Sequence, residues 1–272
     1  MVHLGFLRRV EERYALVPGD ERLFDPSGPC DGMVGVNGLA RFTARRGSAV
    51  EVLRSDEPLA AAGAGGDVSE EDRRAFFKHI HSCSIEVSKE VARLLAGSSI
   101  SSIADLGCGP GSYSYALLEV CPDATAVLVD RPNARGFIEE FSREKGLEDR
   151  VSFVGADILS EDFGANFDLI LISEAIHNFG VQENLLLLQR VADRLRPGGV
   201  VAIKDIDIAN DRSGPLGALR FALAMVLFAR SGDVYPEGDV FGWLNQVGLE
   251  HETTFALRHK EGGYLVVGRK PE

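Results

Sequence analysis

An Asp followed by three alternating glycines, Asp105-Leu-Gly107-Cys-Gly109-Pro-Gly111, stands between an apolar run opening at Ile103 and an amphipathic stretch beginning at Ser112. Glycine adopts φ > 0 at little cost and lets a ligand lie directly on the main chain. A helix starting at Ser112 adds free N–H groups and a positive dipole end. The Asp105 carboxylate is placed where a ligand's ammonium group can sit. Dinucleotide turns read G-x-G-x-x-G, and here position 112 is Ser, so a nicotinamide-dependent oxidoreductase is disfavoured. Two further acids follow apolar runs: Asp130 in Val127-Leu-Val-Asp130-Arg131, and Asp157 in Gly155-Ala-Asp157-Ile158. A carboxylate at the position of Asp130 can accept both hydroxyls of a ribose. In Leu171-Ile-Ser173-Glu-Ala-Ile-His177-Asn178-Phe179, His177 supplies an imidazole, a side chain suited to taking a proton from a reacting group.

The elements that must hold these residues alternate strand and helix, the mark of a parallel α/β sheet. Strands are expected at 102–106, 124–129, 151–154, 167–172 and 200–205. Helices are expected at 112–120, 133–145, 182–195, 217–230 and 238–247. Arg196-Pro-Gly-Gly199 reads as a helix stop and strand entry, and 253–259 with 263–269 as a terminal hairpin. Ahead of this core, an N-cap at Ser69 and apolar residues at helical spacing from Phe76 to Leu95 predict a long helix ending near Gly97. In an open parallel sheet ligands sit at the carboxyl ends of the strands, which is where Asp105, Asp130, Asp157, Ser173, His177 and Asp205 fall.

The D-x-G-x-G-x-G stretch resembles motif I of the class I S-adenosylmethionine-dependent methyltransferases. The segment around His177 is similar to the L-H-D-W segment of the caffeic-acid and polyketide O-methyltransferases, with Asn178 in place of the usual Asp and Phe179 in place of Trp. The resemblance implies a Rossmann-like, mostly parallel seven-stranded sheet with a terminal antiparallel hairpin. It implies S-adenosylmethionine as cofactor, held by Asp105, Gly107, Gly109, Gly111, Asp130, Arg131, Asp157, Ile158 and Ser173. In that family Asp157 would cap the adenine amino group, Ile158 cover its ring, and Ser173 meet the methionine part. His177 would be a general base, flanked by two acids; Asp205 ends the fifth strand, and counting back from the Val247-Gly-Leu249 turn gives Glu237. An apolar acceptor pocket would be lined by Phe76, Ile80, Asn178, Phe179, Met225 and Phe228. The resemblance covers about 76–269 and, weakly, the first twenty residues, where a partial winged-helix or dimerisation-like segment with its linker (1–66) would precede the catalytic domain (67–272).

Composition narrows the partners. A net charge of −12 from 41 acidic and 29 basic residues argues against a protein that tracks a nucleic-acid backbone. Four cysteines show no C-x-x-C pair and no zinc-ligand spacing, so no metal is expected and free thiols in a cytoplasmic chain are. The longest apolar stretch, 215–229, is broken by Arg220, so no membrane span is expected. The expected partner is a small, aromatic methyl acceptor. O-methylation, N- or C-methylation, and a cofactor-binding subunit active only with a partner chain, or as a homodimer, stay open at this point.

Overall fold

A computed structural model describes residues 7–10, 13–16, 70–96, 100–229, 231–258 and 263–272. At the front, β1 (Leu7–Val10) and β2 (Arg13–Leu16) pair antiparallel, with Leu7 opposite Leu16. The rest of the expected winged-helix segment and linker lies outside the described residues.

The long helix α1 (Glu70–Leu95) buries Phe77, Ser84, Val87, Ser88, Val91 and Leu95, one face at helical spacing. Then come β3 (Ser102–Leu106), α2 (Ser112–Val120), β4 (Thr125–Asp130), α3 (Arg135–Glu144), β5 (Val151–Gly155), β6 (Phe167–Ser173), α4 (Val181–Arg194) and β7 (Leu195–Asp205). The chain closes with α5 (Leu216–Phe228), α6 (Glu237–Gln246), β8 (Glu250–Ala256) and β9 (Tyr264–Arg269). The sheet order is β5-β4-β3-β6-β7-β9-β8; the first five strands are parallel, and β9 runs antiparallel between β7 and β8.

All seven residues of β6 are buried, as a central strand covered on both faces requires. Leu169 and Leu171 pack with the core formed by α1, α2 and α3, whereas Ile170 and Ile172 pack with α4 and α6 on the opposite face. Asp168 breaks this apolar run at its foot and is held below the usual carboxylate range, at about 2: burial opposes its ionisation, and hydrogen bonds from Ser101, Ser102 and Arg196 outweigh it.

The helix expected from residue 133 opens as a 3-10 turn, Pro132–Ala134, because Pro suits a first helical turn and restricts what precedes it. Strand β7 begins at Leu195, five residues before the expected start, since Leu195 already pairs with Phe167. The Pro-Gly-Gly run is absorbed as an irregularity, after which the register resumes at Leu169–Val200. β8 likewise starts at Glu250, where it finds Arg269 of β9.

Candidate active site

The strand order reverses at β3 and β6, so the loops after them diverge and leave a crevice at their carboxyl ends. The glycine turn forms one wall. Gly107, Gly109 and Gly111 all have positive φ, at 70°, 53° and 80°. The N–H groups of Gly107 and Cys108 donate to the Val129 carbonyl at 2.8 and 3.2 Å, which folds the turn against β4. A Cβ on Gly111 would stand 2.6 Å from Leu128 Cδ2, so close packing as well as backbone angle excludes a side chain there. A Cβ on Gly109 would meet nothing within 4 Å, which marks the open side of the turn.

Asp105 is almost wholly buried; Ser114 Oγ donates to its Oδ2 at 2.7 Å, and its Oδ1 has no hydrogen-bond partner. Burial raises this carboxyl to about 7, with the Ser114 hydrogen bond opposing and Asp130 adding to the rise. On the neighbouring strand, buried Ser173 also leaves its Oγ without a partner. Buried polar groups are seldom left this way unless a ligand or water completes them. An ammonium and carboxylate like those of an amino-acid moiety fit the pair: Asp105 lacks a donor, and a hydroxyl donates and accepts. The Asp130 carboxylate accepts the Gly109 N–H on Oδ2 at 2.8 Å and the Arg131 N–H on Oδ1 at 2.7 Å. One lone pair on each oxygen then remains for a ribose hydroxyl. Arg131 is exposed. Asp157, also exposed, accepts the Leu159 N–H at 2.9 Å, and buried Ile158 places its Cδ1 4.0 Å from a Cβ built on Gly107.

The other wall carries titratable groups. His177 lies in a 3-10 turn, Ile176–Asn178, just after β6. Its Nδ1 is 2.8 Å from Asp205 Oδ1 at the end of β7, and both side chains are buried. Asp205 also accepts the Ile206 N–H at 2.8 Å. Burial pushes the Asp205 carboxyl up, yet the charge of and hydrogen bond from His177 hold it below the ordinary range. Glu174 joins them: one ligand-type atom from each of Glu174, His177 and Asp205 lies within 4.8 Å of the others. Glu174 is ion-paired with Lys204, which is only 1% exposed.

The sequence profile of the O-methyltransferase domain matches residues 59–249. The chain belongs to the O-methyltransferase family. S-adenosylmethionine is the family's methyl donor. The protein is 28% identical to the tetracenomycin polyketide synthesis 8-O-methyl transferase TcmO of Streptomyces glaucescens, an alignment covering 100% of this chain and 80% of that one. It is 26% identical to 3-hydroxy-5-methyl-1-naphthoate 3-O-methyltransferase of Streptomyces sahachiroi, over 85% of this chain and 68% of the relative. Among solved structures, human N-acetylserotonin methyltransferase in complex with S-adenosylmethionine superposes with a TM-score of 0.80 at 18% identity, covering 100% of this chain and 81% of that one.

In this methyltransferase, sequence reasoning and geometry part on several residues. Glu237, expected beside the imidazole, is an exposed residue at the head of α6, and the acid gathered with His177 and Asp205 is Glu174. Asn178 is exposed and its amide donates to the Ala175 carbonyl at 3.2 Å, closing its own turn. Phe179 is half-buried, and its carbonyl accepts the Tyr235 hydroxyl at 2.6 Å. Met225 is buried, Ile80 half-buried and Phe76 46% exposed; the side chain of Phe228 lies outside the described residues. Phe221 is not among the expected residues: its ring stands edge-on to His177, centroids 4.8 Å apart at 84°. The signal was present, since Phe221 precedes Met225 by one helical turn and shares its face. His81, on the same long helix as Phe76 and Ile80, is structurally bonded. It reaches from α1 to Ser112 Oγ at 2.7 Å beside the glycine turn, and burial lowers it to about 4.

Proposed function

We propose that the protein transfers the methyl group of S-adenosylmethionine to a hydroxyl of a small aromatic acceptor of secondary metabolism, with His177 as general base. The buried Nδ1–Asp205 contact of 2.8 Å carries this reading. It commits one ring nitrogen to the carboxylate and leaves Nε2 to accept a proton. The cofactor supplies an electrophilic methyl on a sulfonium. A phenol with a pKa near about 10 is a weak nucleophile at neutral pH until its proton is taken. His177 accepts that proton as the oxygen–carbon bond forms, and Asp205 balances the imidazolium charge. Phe221, set edge-on against the ring, keeps the imidazole from turning. Residues 67–272 form the catalytic unit in this reading.

C-methylation is the second reading. It is favoured by the 26% identity, over 66% of this chain, to the L-tyrosine C(3)-methyltransferase of Streptomyces lavendulae. An isothermal titration with S-adenosylmethionine, followed by a panel of phenol, amine and indole acceptors, separates the two. Ring-hydroxyl products support O-methylation; carbon-methylated products support the second reading.

Asp130→Ala removes two acceptors from the ribose and frees the Gly109 N–H. Titration is expected to show affinity for S-adenosylmethionine falling about tenfold to a hundredfold. Unchanged affinity refutes the assignment.

Asp105 gives a pH dependence of known sign. With its carboxyl at about 7, the ligand-free protein holds a proton there below that pH. An ammonium group binds the carboxylate, so binding expels the proton. Affinity should therefore rise with pH from about 5.5 to about 7, at most about tenfold per unit. Asp105→Asn should bind more weakly and lose the dependence.

A further inference from the structure

We propose that Lys204 and Glu174 form a compensating ion pair that fixes the charge facing His177, acting as positioning residues for its acceptance of a proton. The proposal rests, for its catalytic meaning, on His177 being the base. Lys204 lies on β7 in register with Ser173, and the N–H of Glu174 donates to the Lys204 carbonyl at 2.9 Å. Glu174 has φ 55°, a left-handed angle that a non-glycine residue adopts reluctantly. That angle turns the chain off the strand line just where the carboxylate meets the Lys204 ammonium. The lysine side chain is 1% exposed and the glutamate 31%, so the ammonium is shut away from water while the glutamate stays partly exposed. A buried ion pair is a poor stabiliser, because desolvating both charges offsets their attraction.

Its effect on the dyad is direct. Two carboxylates, Glu174 and Asp205, stand within 4.8 Å of the imidazole. Both acting unopposed would favour the protonated imidazole, and a protonated imidazole accepts nothing. The Lys204 charge cancels that of Glu174, leaving Asp205 as the net partner. Before proton transfer the four groups carry one net negative charge. After the acceptor's hydroxyl proton reaches Nε2 they are neutral. Tyr235 and Tyr264 are held protonated by burial, and α5 presents the Phe221 ring. Asp207 follows on the chain after β7, and Glu237 and Asp239 head α6, where their charges bear on Tyr264.

The test is an NMR titration of the full chain labelled with 13C at its histidine side chains, the His177 signal assigned by its loss in His177→Gln. No acceptor is needed. Lys204→Met is expected to move the His177 midpoint up by about one to two pH units. Glu174→Gln should move it down by a comparable amount, the double variant should return near the wild type, and Lys204→Arg should stay there. Midpoints that do not move, or that move the same way in both single variants, overturn the pair's role. Where Lys204→Met fails to fold, Glu174→Gln decides alone: a downward shift supports the proposal and no shift overturns it. The base assignment fails separately, on full turnover in a variant lacking the imidazole.

Discussion

Replacing His177 with Ala is expected to leave S-adenosylmethionine affinity within about twofold while lowering turnover about 10²–10⁴-fold. The two expectations separate because the proposed cofactor groups lie elsewhere. Asp105, the glycine turn and Asp130 belong to β3 and β4, and none of their hydrogen bonds involves the imidazole. What the variant loses is the proposed proton acceptor at the end of β6 and the side-chain hydrogen-bond partner of a buried carboxylate. Asp205 then keeps only backbone donors, including the Ile206 N–H at 2.8 Å. Turnover is to be measured with the phenolic acceptor found in the panel, and affinity by titration. Wild-type turnover sinks the general-base mechanism. A parallel loss of cofactor affinity shows instead that His177 shapes the donor site.

Asp205→Asn tests the second half of the dyad. It is nearly isosteric, so the packing around β7 should survive. An amide can still accept from one donor, but it offers no charge to an imidazolium and can present its NH₂ to Nδ1, which turns the free tautomer the wrong way. Turnover should fall about 10²–10⁴-fold with the fold intact. A stability readout accompanies it. In the wild type, burial would raise the Asp205 carboxyl, and His177 more than reverses that, so the folded value is depressed. A depressed carboxyl stabilises the fold above the ordinary carboxylate range and loses that contribution as pH falls through the folded value. The wild type should therefore lose thermal stability in strong acid more steeply than Asp205→Asn. Equal acid sensitivity with full turnover removes Asp205 from the mechanism.

The glycine turn was the most legible part of the chain. Strand 102–106 and helix 112–120 fall at the expected residues, because an apolar run, three glycines and an amphipathic run punctuate the chain locally. The strand-end positions of Asp105, Asp130 and Ser173 were also legible, since a parallel sheet puts its strand ends on one edge. The charged cluster was harder. Lys204 meets Glu174 only because β7 pairs with β6 in one register, a relation that lies across about thirty residues of chain. Yet a lysine inside Val200-Val-Ala-Ile-Lys-Asp, in a strand buried on both faces, was itself a signal that a counter-ion must wait nearby. Glu237 was placed by counting back from a turn. The path of residues 231–236 between α5 and α6 is irregular, and no periodicity in the sequence fixes where such a segment leaves its last residue.

The position of β9 has a consequence for how the molecule is made. Asp205 pairs with Tyr264, and β9 fills the gap between β7 and β8. During synthesis, β3, β4, β5 and β6, which carry the proposed cofactor groups, all precede β9, the strand that covers the outer edge of β7. Strand β7, which bears the proposed catalytic carboxylate Asp205, gains its second neighbour only when residues 264–269 have been made. In the proposed reading, the groups for donor binding are thus made before the strand that completes the surroundings of Asp205.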